Sequence, residues 1–169
     1  SHGISYMAMS HFLLSLGFLS NWIGMMEFNL MLENKYDKFL ATVKEQNAGK
    51  DWYDIRKKMS AVPALKKAIL TFMAEDEYEE TRKLIDERIK TYDATKLKED
   101  LSLYLEHYPE KKIVFFIDEM SEALSQKKIN LLDLEGLSEA LSSLGNRVWT
   151  VGIAQQAFND VLNASGLNI

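Results

Sequence analysis

The sequence predicts an α/β fold, in which a large all-helical portion is followed by a small parallel sheet. Only two prolines and eight glycines interrupt the 169 residues, and such sparse punctuation favours long helices. After Pro109, two short apolar runs, residues 113–117 and 148–153, flank a stretch with helical patterning. Strand, helix and strand in this order predict a βαβ crossover with parallel strands.

The composition is that of a water-soluble domain. Apolar residues make up 47% of the chain and charged residues 27%, which is ordinary for a globular protein. The net charge of −5 gives no basic footprint of the kind that a dedicated nucleic-acid-binding domain shows. The chain has no cysteine, which excludes disulfides and thiolate metal sites and makes a reducing cytoplasm the expected location.

Three segments are predicted: an apolar helical segment (1–32), a helical insertion or subdomain (33–108) and a βαβ part (109–169). Residues 4–26 contain no charged side chain and are long enough to span a bilayer. Polar residues recur among them, however, and Gly17 and Gly24 weaken a continuous helix. We therefore expect a buried core helix, with a membrane or interfacial segment and a partner-binding helix as the alternatives, and no membrane partner.

Residues 33–108 are expected to be almost entirely helical. Asn47, Ala48 and Gly49 resemble a helix C-terminus, and Pro63 suits the first turn of a new helix. The acidic cluster 75–77 either begins another helix or breaks the preceding one. The last helix before the sheet ends ahead of Pro109.

Three polar residues follow the two predicted strands, and they are the candidate site. Asp118 and Glu119 come directly after the apolar run 113–117, which has the composition of a strand buried on both faces of a parallel sheet. Gln155 follows the second run, which is also predicted to be a buried strand. Ligands of such sheets bind beyond the carboxyl ends of the strands, where all three residues fall.

These residue types suit phosphoryl transfer. An Asp at the tip of a rigid strand can bind Mg²⁺, and a Glu beside it can orient or deprotonate the attacking water. A polar side chain on the neighbouring strand, here Gln155, can contact the γ-phosphate as a sensor. In the alternative interpretation, Asp118 and Glu119 merely cap the following helix.

The two regions resemble the Walker B and sensor 1 regions of P-loop ATPases of the additional-strand, AAA+-like class. The resemblance rests on two strings, IVFFIDEMSEAL and NRVWTVGIAQQAFNDVL, and covers only the part of the chain after Pro109. These two strings are similar in particular to the corresponding regions of the ATPases of BREX-type phage-defence systems and their relatives. The resemblance implies a fragment of a parallel-sheet P-loop NTPase core, with ATP and Mg²⁺ as cofactors, an oligomeric parent, and DNA or defence-system proteins as further partners.

The sequence departs from that family in one respect above all: it contains no GxxxxGK[ST] loop. Residues 47–51 include a Gly-Lys pair but lack the first glycine and the hydroxyl residue. The fragment alone is therefore expected to bind no nucleotide tightly and to be inactive, and its principal partner would be the remainder of its own ATPase core. Residues 1–3 are either a cloning remnant or the end of a P-loop, in which case residues 4–19 would be the P-loop helix. The alternative function is a non-catalytic helical interaction module on a degenerate NTPase fold.

Overall fold

The computed structural model describes residues 3–117 and 131–152, most of which are helical. The chain divides into two units: residues 10–91, here called the helical unit, and residues 1–9 with 92–169, here called the sheet unit. The described helices and the two parallel strands together form a mixed α/β class, as predicted. The predicted segment boundaries after residues 32 and 108 stay predictions.

The helical unit contains five helices in addition to the second half of α1 (Ile4–Ser15). They are α2 (Trp22–Leu32), α3 (Tyr36–Gln46), α4 (Trp52–Ile55), α5 (Ala61–Ile69) and α6 (Glu75–Lys90). Helix α2 packs against α3 and α6, and α3 packs against α5. The largest fully buried side chains of this unit are Trp52, Phe28, Phe39, Met25 and Leu65.

The apolar N-terminal segment is core, as expected, but it forms two helices and not one. Helix α1 ends at Ser15 because Gly17 adopts a left-handed conformation with φ of +82°. The backbone N–H of Phe18 then donates to the carbonyl of Leu13, and that of Gly17 to the carbonyl of Leu14, which is a Schellman C-cap. The single helix over residues 4–26 is therefore wrong. The alternative that the first helix is a P-loop helix stays a prediction, with the helix ending at Ser15 and not at residue 19. None of the described helices is long and apolar enough to cross a membrane.

The helix boundaries predicted for residues 33–108 are confirmed. Helix α3 ends at Gln46, and the left-handed residues that follow it are Ala48 and Gly49. Pro63 lies in the first turn of α5, where its missing N–H has no helical partner to lose. The acidic cluster begins α6, where its charges favourably oppose the helix dipole.

The sheet unit pairs two strands in parallel, which confirms the predicted arrangement. Helix α7 (Ala94–His107) leads into β1 (Ile113–Ile117). Helix α8 (Leu131–Ser142) and a 3₁₀ turn (Gly145–Arg147) lead into β2 (Val148–Gly152). The strands are direct neighbours, with Ile113 opposite Val148 and Ile117 opposite Gly152. The helices predicted near residues 121–126 and 157–163 lie outside the described residues.

One face of this sheet is covered and the other is open. Ile113 and Val148 are buried, as are Leu137 and Leu141 of α8, a helix that contacts β2 and α7. The opposite face presents exposed apolar side chains, namely Val114, Phe116, Trp149 and Val151. The expectation that both strands are buried on both faces is therefore wrong for the described structure. An apolar run without alternation fits two-sided burial, but it cannot specify whether the second covering layer is present.

Candidate functional site

The candidate site lies where β1 and β2 end. The register places the last residues of the two strands, Ile117 and Gly152, opposite each other. In the sequence, Asp118 and Glu119 follow Ile117 at once, and Gln155 comes three residues after Gly152. All three candidate residues lie outside the described residues, so the described part of the site is the pair of strands that leads to them. The two parallel strands therefore end at the same edge of the sheet.

At the opposite edge, Arg147 ties the beginnings of the two strands together. Its Nη1 donates to the carbonyl of Leu105 at 2.9 Å, and its Nη2 donates to the carbonyls of Tyr108 and Lys111, each at 2.8 Å. Its Nε also donates to the carbonyl of Lys111, at 3.2 Å. The guanidinium thus joins the residue before β2 to the last turn of α7 and to the lead-in of β1. Its positive charge also suits the C-terminus of α7, where carbonyl groups lack helical partners.

A second polar constellation lies inside the helical unit, around Glu27. This glutamate is in α2 and is 0% exposed. Its Oε1 accepts hydrogen bonds from the Tyr36 hydroxyl at 2.9 Å, Trp52 Nε1 at 2.7 Å and Arg56 Nη1 at 2.9 Å. Its Oε2 accepts from the backbone N–H of Leu19 at 2.9 Å. Four donors therefore converge on one carboxylate, and they come from three segments: the connection between α1 and α2, helix α3, and helix α4 with its C-cap.

This constellation, here called the Glu27 cluster, is built for structure and not for catalysis. Burial, followed by the charge of Glu27 and its hydrogen bond, raises the pKa of Tyr36 well above its ordinary value, so Tyr36 stays protonated and donates. The Trp52 indole packs edge-on against Phe39, with ring centroids 5.2 Å apart. Both carboxylate oxygens are occupied by protein donors, and the carboxylate has no exposed surface from which a substrate could reach it. A buried charge that is this completely hydrogen-bonded holds a geometry in place.

The Glu27 cluster and Arg147 were not predicted from the sequence. Glu27 had one signal, since it is the first acidic residue after a long run without charges and sits among apolar side chains of α2. Its partners gave no signal, because Tyr36 lies in α3, and Trp52 and Arg56 lie at the two ends of α4, 25 and 29 residues from Glu27. Arg147 resembled an ordinary polar residue ahead of a strand.

The comparisons assign no relative to this chain. Within residues 3–117 and 131–152, His, Asp and Glu side chains form no group of three that could hold a metal ion. Protein-family models, curated proteins and solved structures were all compared with the chain, and none of them matches it.

Proposed function

We propose that this chain is the Walker B and sensor 1 half of a P-loop ATPase core. The observation that supports the proposal is the parallel pairing of β1 with β2 as direct neighbours, with their carboxyl ends level. An acidic pair follows one strand in the sequence and a glutamine follows the other. This arrangement suits a nucleotide and its metal ion bound at the carboxyl edge of the sheet.

Each residue has a distinct proposed role. Asp118 binds Mg²⁺, the hard cation that neutralises charge on the β- and γ-phosphates and prefers carboxylate oxygens. Glu119 orients or deprotonates the water that attacks the γ-phosphorus. Gln155 contacts the γ-phosphate or that water from the neighbouring strand. Phosphoryl transfer needs mainly such positioning and charge neutralisation, which two level strand ends are suited to provide.

The open face of the sheet also supports the proposal. Parallel strands are normally covered on both faces, yet Phe116 is 70% exposed and Trp149 is 56% exposed. In the proposal, further elements of the same ATPase core cover this face and bring the phosphate-binding loop. The cellular setting that we propose is cytoplasmic phage defence or DNA-linked remodelling, with an oligomeric parent.

The chain by itself should hydrolyse ATP no faster than buffer, because it carries no GxxxxGK[ST] loop to bind the phosphates. A phosphate-release assay with Mg²⁺ and ATP measures this directly. Magnesium-dependent turnover that copurifies with the chain and disappears in Asp118→Ala would contradict the expectation.

The proposed roles are tested in a parent protein that supplies the loop. Glu119→Gln keeps the shape of the side chain but removes the base, so ATP should still bind while turnover falls by about 10²-fold or more. Asp118→Ala should instead weaken magnesium–nucleotide binding, since it removes a metal-binding charge. If both residues only cap a helix, each change will cost about 1 kcal/mol of stability and leave turnover per folded molecule unchanged. Normal hydrolysis by a folded Glu119→Gln protein removes the assignment of the base.

The second candidate function is a non-catalytic helical interaction module on a degenerate NTPase fold. It is favoured by the helical content of the described chain and by the absence of a GxxxxGK[ST] motif from the sequence. The two functions are separated by the parent reading frame: a GxxxxGK[ST] motif between a predicted strand and helix favours the ATPase, and its absence favours the module.

A further inference from the structure

We propose that Arg147 is a positioning residue that sets the register of β1 against β2, and thereby holds the two strand ends, Ile117 and Gly152, level at the carboxyl edge of the sheet. The part that concerns the register stands on the described contacts alone. The catalytic consequence rests on the proposed ATPase function.

The contacts of Arg147 reach the segment that determines where β1 starts. Val148, the first residue of β2, follows Arg147 directly and pairs with Ile113. The guanidinium binds the carbonyl of Lys111 twice, through Nε and Nη2, and Lys111 lies two residues before Ile113. Its bond to Leu105 in turn connects this lead-in to the last turn of α7. The starts of both strands are therefore fixed to each other through one side chain.

Side-chain packing alone does not fix the register. A slip of one strand by one residue would turn its buried first residue, Ile113 or Val148, to the open face, and the loss of burial opposes it. A slip of two residues keeps every side chain on its own face, and none of the described elements covers the open face to resist it. Such a slip moves one strand end along the other by about 6.6 Å, far more than a metal or phosphate site tolerates. The hydrogen bonds of Arg147 to backbone carbonyls at the strand starts distinguish the observed register from one that is displaced by two residues.

The chemistry requires arginine at this position. A guanidinium offers five N–H donors in a planar fork, and four of its hydrogen bonds here reach three different carbonyl oxygens. A lysine would keep the positive charge near the C-terminus of α7, but its ammonium group cannot span the same three acceptors. Arg147→Lys therefore separates the geometric role from the charge.

The register can be read in this chain by NMR, from cross-strand contacts between the backbone protons of opposed residues. We compare Arg147→Ala and Arg147→Lys with Lys112→Ala, a control that removes an exposed positive charge beside β1. Both Arg147 variants should lose the contact between Ile117 and Gly152, or show it together with contacts displaced by two residues, while Lys112→Ala keeps the original pattern. Should Arg147→Ala fail to fold, Arg147→Lys decides the outcome. An unchanged pattern in a folded Arg147 variant overturns the proposal.

The catalytic consequence is measured in the parent that supplies the phosphate-binding loop. If the strand ends are displaced, kcat of Arg147→Lys should fall by about 10²-fold while KM for magnesium–ATP changes little, because the loop still binds the phosphates. A parent of natural sequence that hydrolyses no ATP contradicts the proposed function and leaves the register result standing. A register shift with normal kcat shows that Arg147 positions strands but not catalytic groups, and overturns the catalytic part of the inference.

Discussion

Removing the Glu27 carboxylate should destabilise the helical unit far more than removing an exposed carboxylate. Glu27 is fully buried and accepts four hydrogen bonds, one of them from Arg56 at 2.9 Å. In Glu27→Ala, the guanidinium of Arg56 loses its charged partner, and the Trp52 indole N–H loses its acceptor. The backbone N–H of Leu19 and the Tyr36 hydroxyl lose theirs as well.

The size of the loss in unfolding free energy depends on how far water can hydrate each donor once the carboxylate is removed. Breaking a buried ion pair from one side costs about 3–5 kcal/mol. The side chain of Arg56 is 12% exposed and can recover some hydration, which favours a value of about 3 kcal/mol for its part. Trp52 is 1% exposed and cannot, so its unpaired N–H adds about 1 kcal/mol. The Arg56 and Trp52 parts together give a loss of about 4 kcal/mol, a large share of the 5–15 kcal/mol that stabilises a typical domain.

Urea unfolding followed by far-UV circular dichroism and tryptophan fluorescence measures this loss, since Trp52 belongs to the Glu27 cluster. The matched control is Glu33→Ala, which breaks the Glu33–Lys35 pair at 2.8 Å. Because Glu33 is 50% exposed in that pair, its removal should cost about 0.5 kcal/mol or less. A double-mutant cycle of Glu27→Gln with Arg56→Met should also give a coupling energy of about 1.5 kcal/mol or more. If Glu27→Ala loses no more stability than Glu33→Ala, the Glu27 cluster stabilises the helical unit no more than an exposed ion pair does.

Three further predictions concern single positions. Gly24→Ala should destabilise the chain by about 1–3 kcal/mol in urea unfolding, because the new Cβ would overlap the carbonyl group of Leu19. Gly136→Ala is the control: it has open space around it and should stabilise the chain by about 0.5–1 kcal/mol, so equal effects of the two substitutions would contradict the prediction. The N-cap Asp93 accepts a hydrogen bond from the backbone N–H of Lys96, which lowers the pKa of its carboxyl group below 3.8. Asp93→Ala should therefore cost about 1 kcal/mol at pH 7, and this cost should shrink as the pH falls from 3.8 through the lowered pKa; a cost that grows on acidification would refute the reasoning. Phe116→Ser should change the melting temperature of this chain little, since the ring is 70% exposed, and a loss above about 2 kcal/mol would mean that this face is already covered.

Local signals in the sequence predicted most of the described fold. Proline and glycine positions set the boundaries of α3, α5 and α7 within a few residues, because these residues act on the backbone wherever they occur. The parallel pairing followed from two apolar runs around a helical stretch. The break at Gly17 was underestimated, since the apolar content of residues 4–26 favours one long helix and a single glycine costs a helix only about 1 kcal/mol. A full Schellman cap there outweighs that small difference.

The exposure of the sheet could not be predicted from the same signals. The run 113–117 is apolar at every position, and nothing in it distinguishes Ile113, which is buried, from Phe116, which is exposed. The sequence of a strand shows whether its side chains are compatible with burial, but whether they are buried depends on elements elsewhere in the fold. For the same reason, the sequence indicates where Asp118, Glu119 and Gln155 leave the strands, but not what lies opposite them.

Most contacts of the two charged side chains that organise the described structure span distances that no local pattern covers. The donors to Glu27 lie 8, 9, 25 and 29 residues away, and the acceptors of Arg147 lie 36, 39 and 42 residues away. Periodicity is read in windows of roughly 11–18 residues, so it detects which helix face is buried but not which polar group meets which. A buried or half-buried charge costs desolvation energy, and apolar side chains of similar volume would often stabilise a fold as well or better. Directed hydrogen bonds supply what apolar packing does not, since they distinguish one alignment of segments from another. Substitutions at these two positions should therefore change geometry as well as stability, whereas substitutions in the apolar core should mainly change stability.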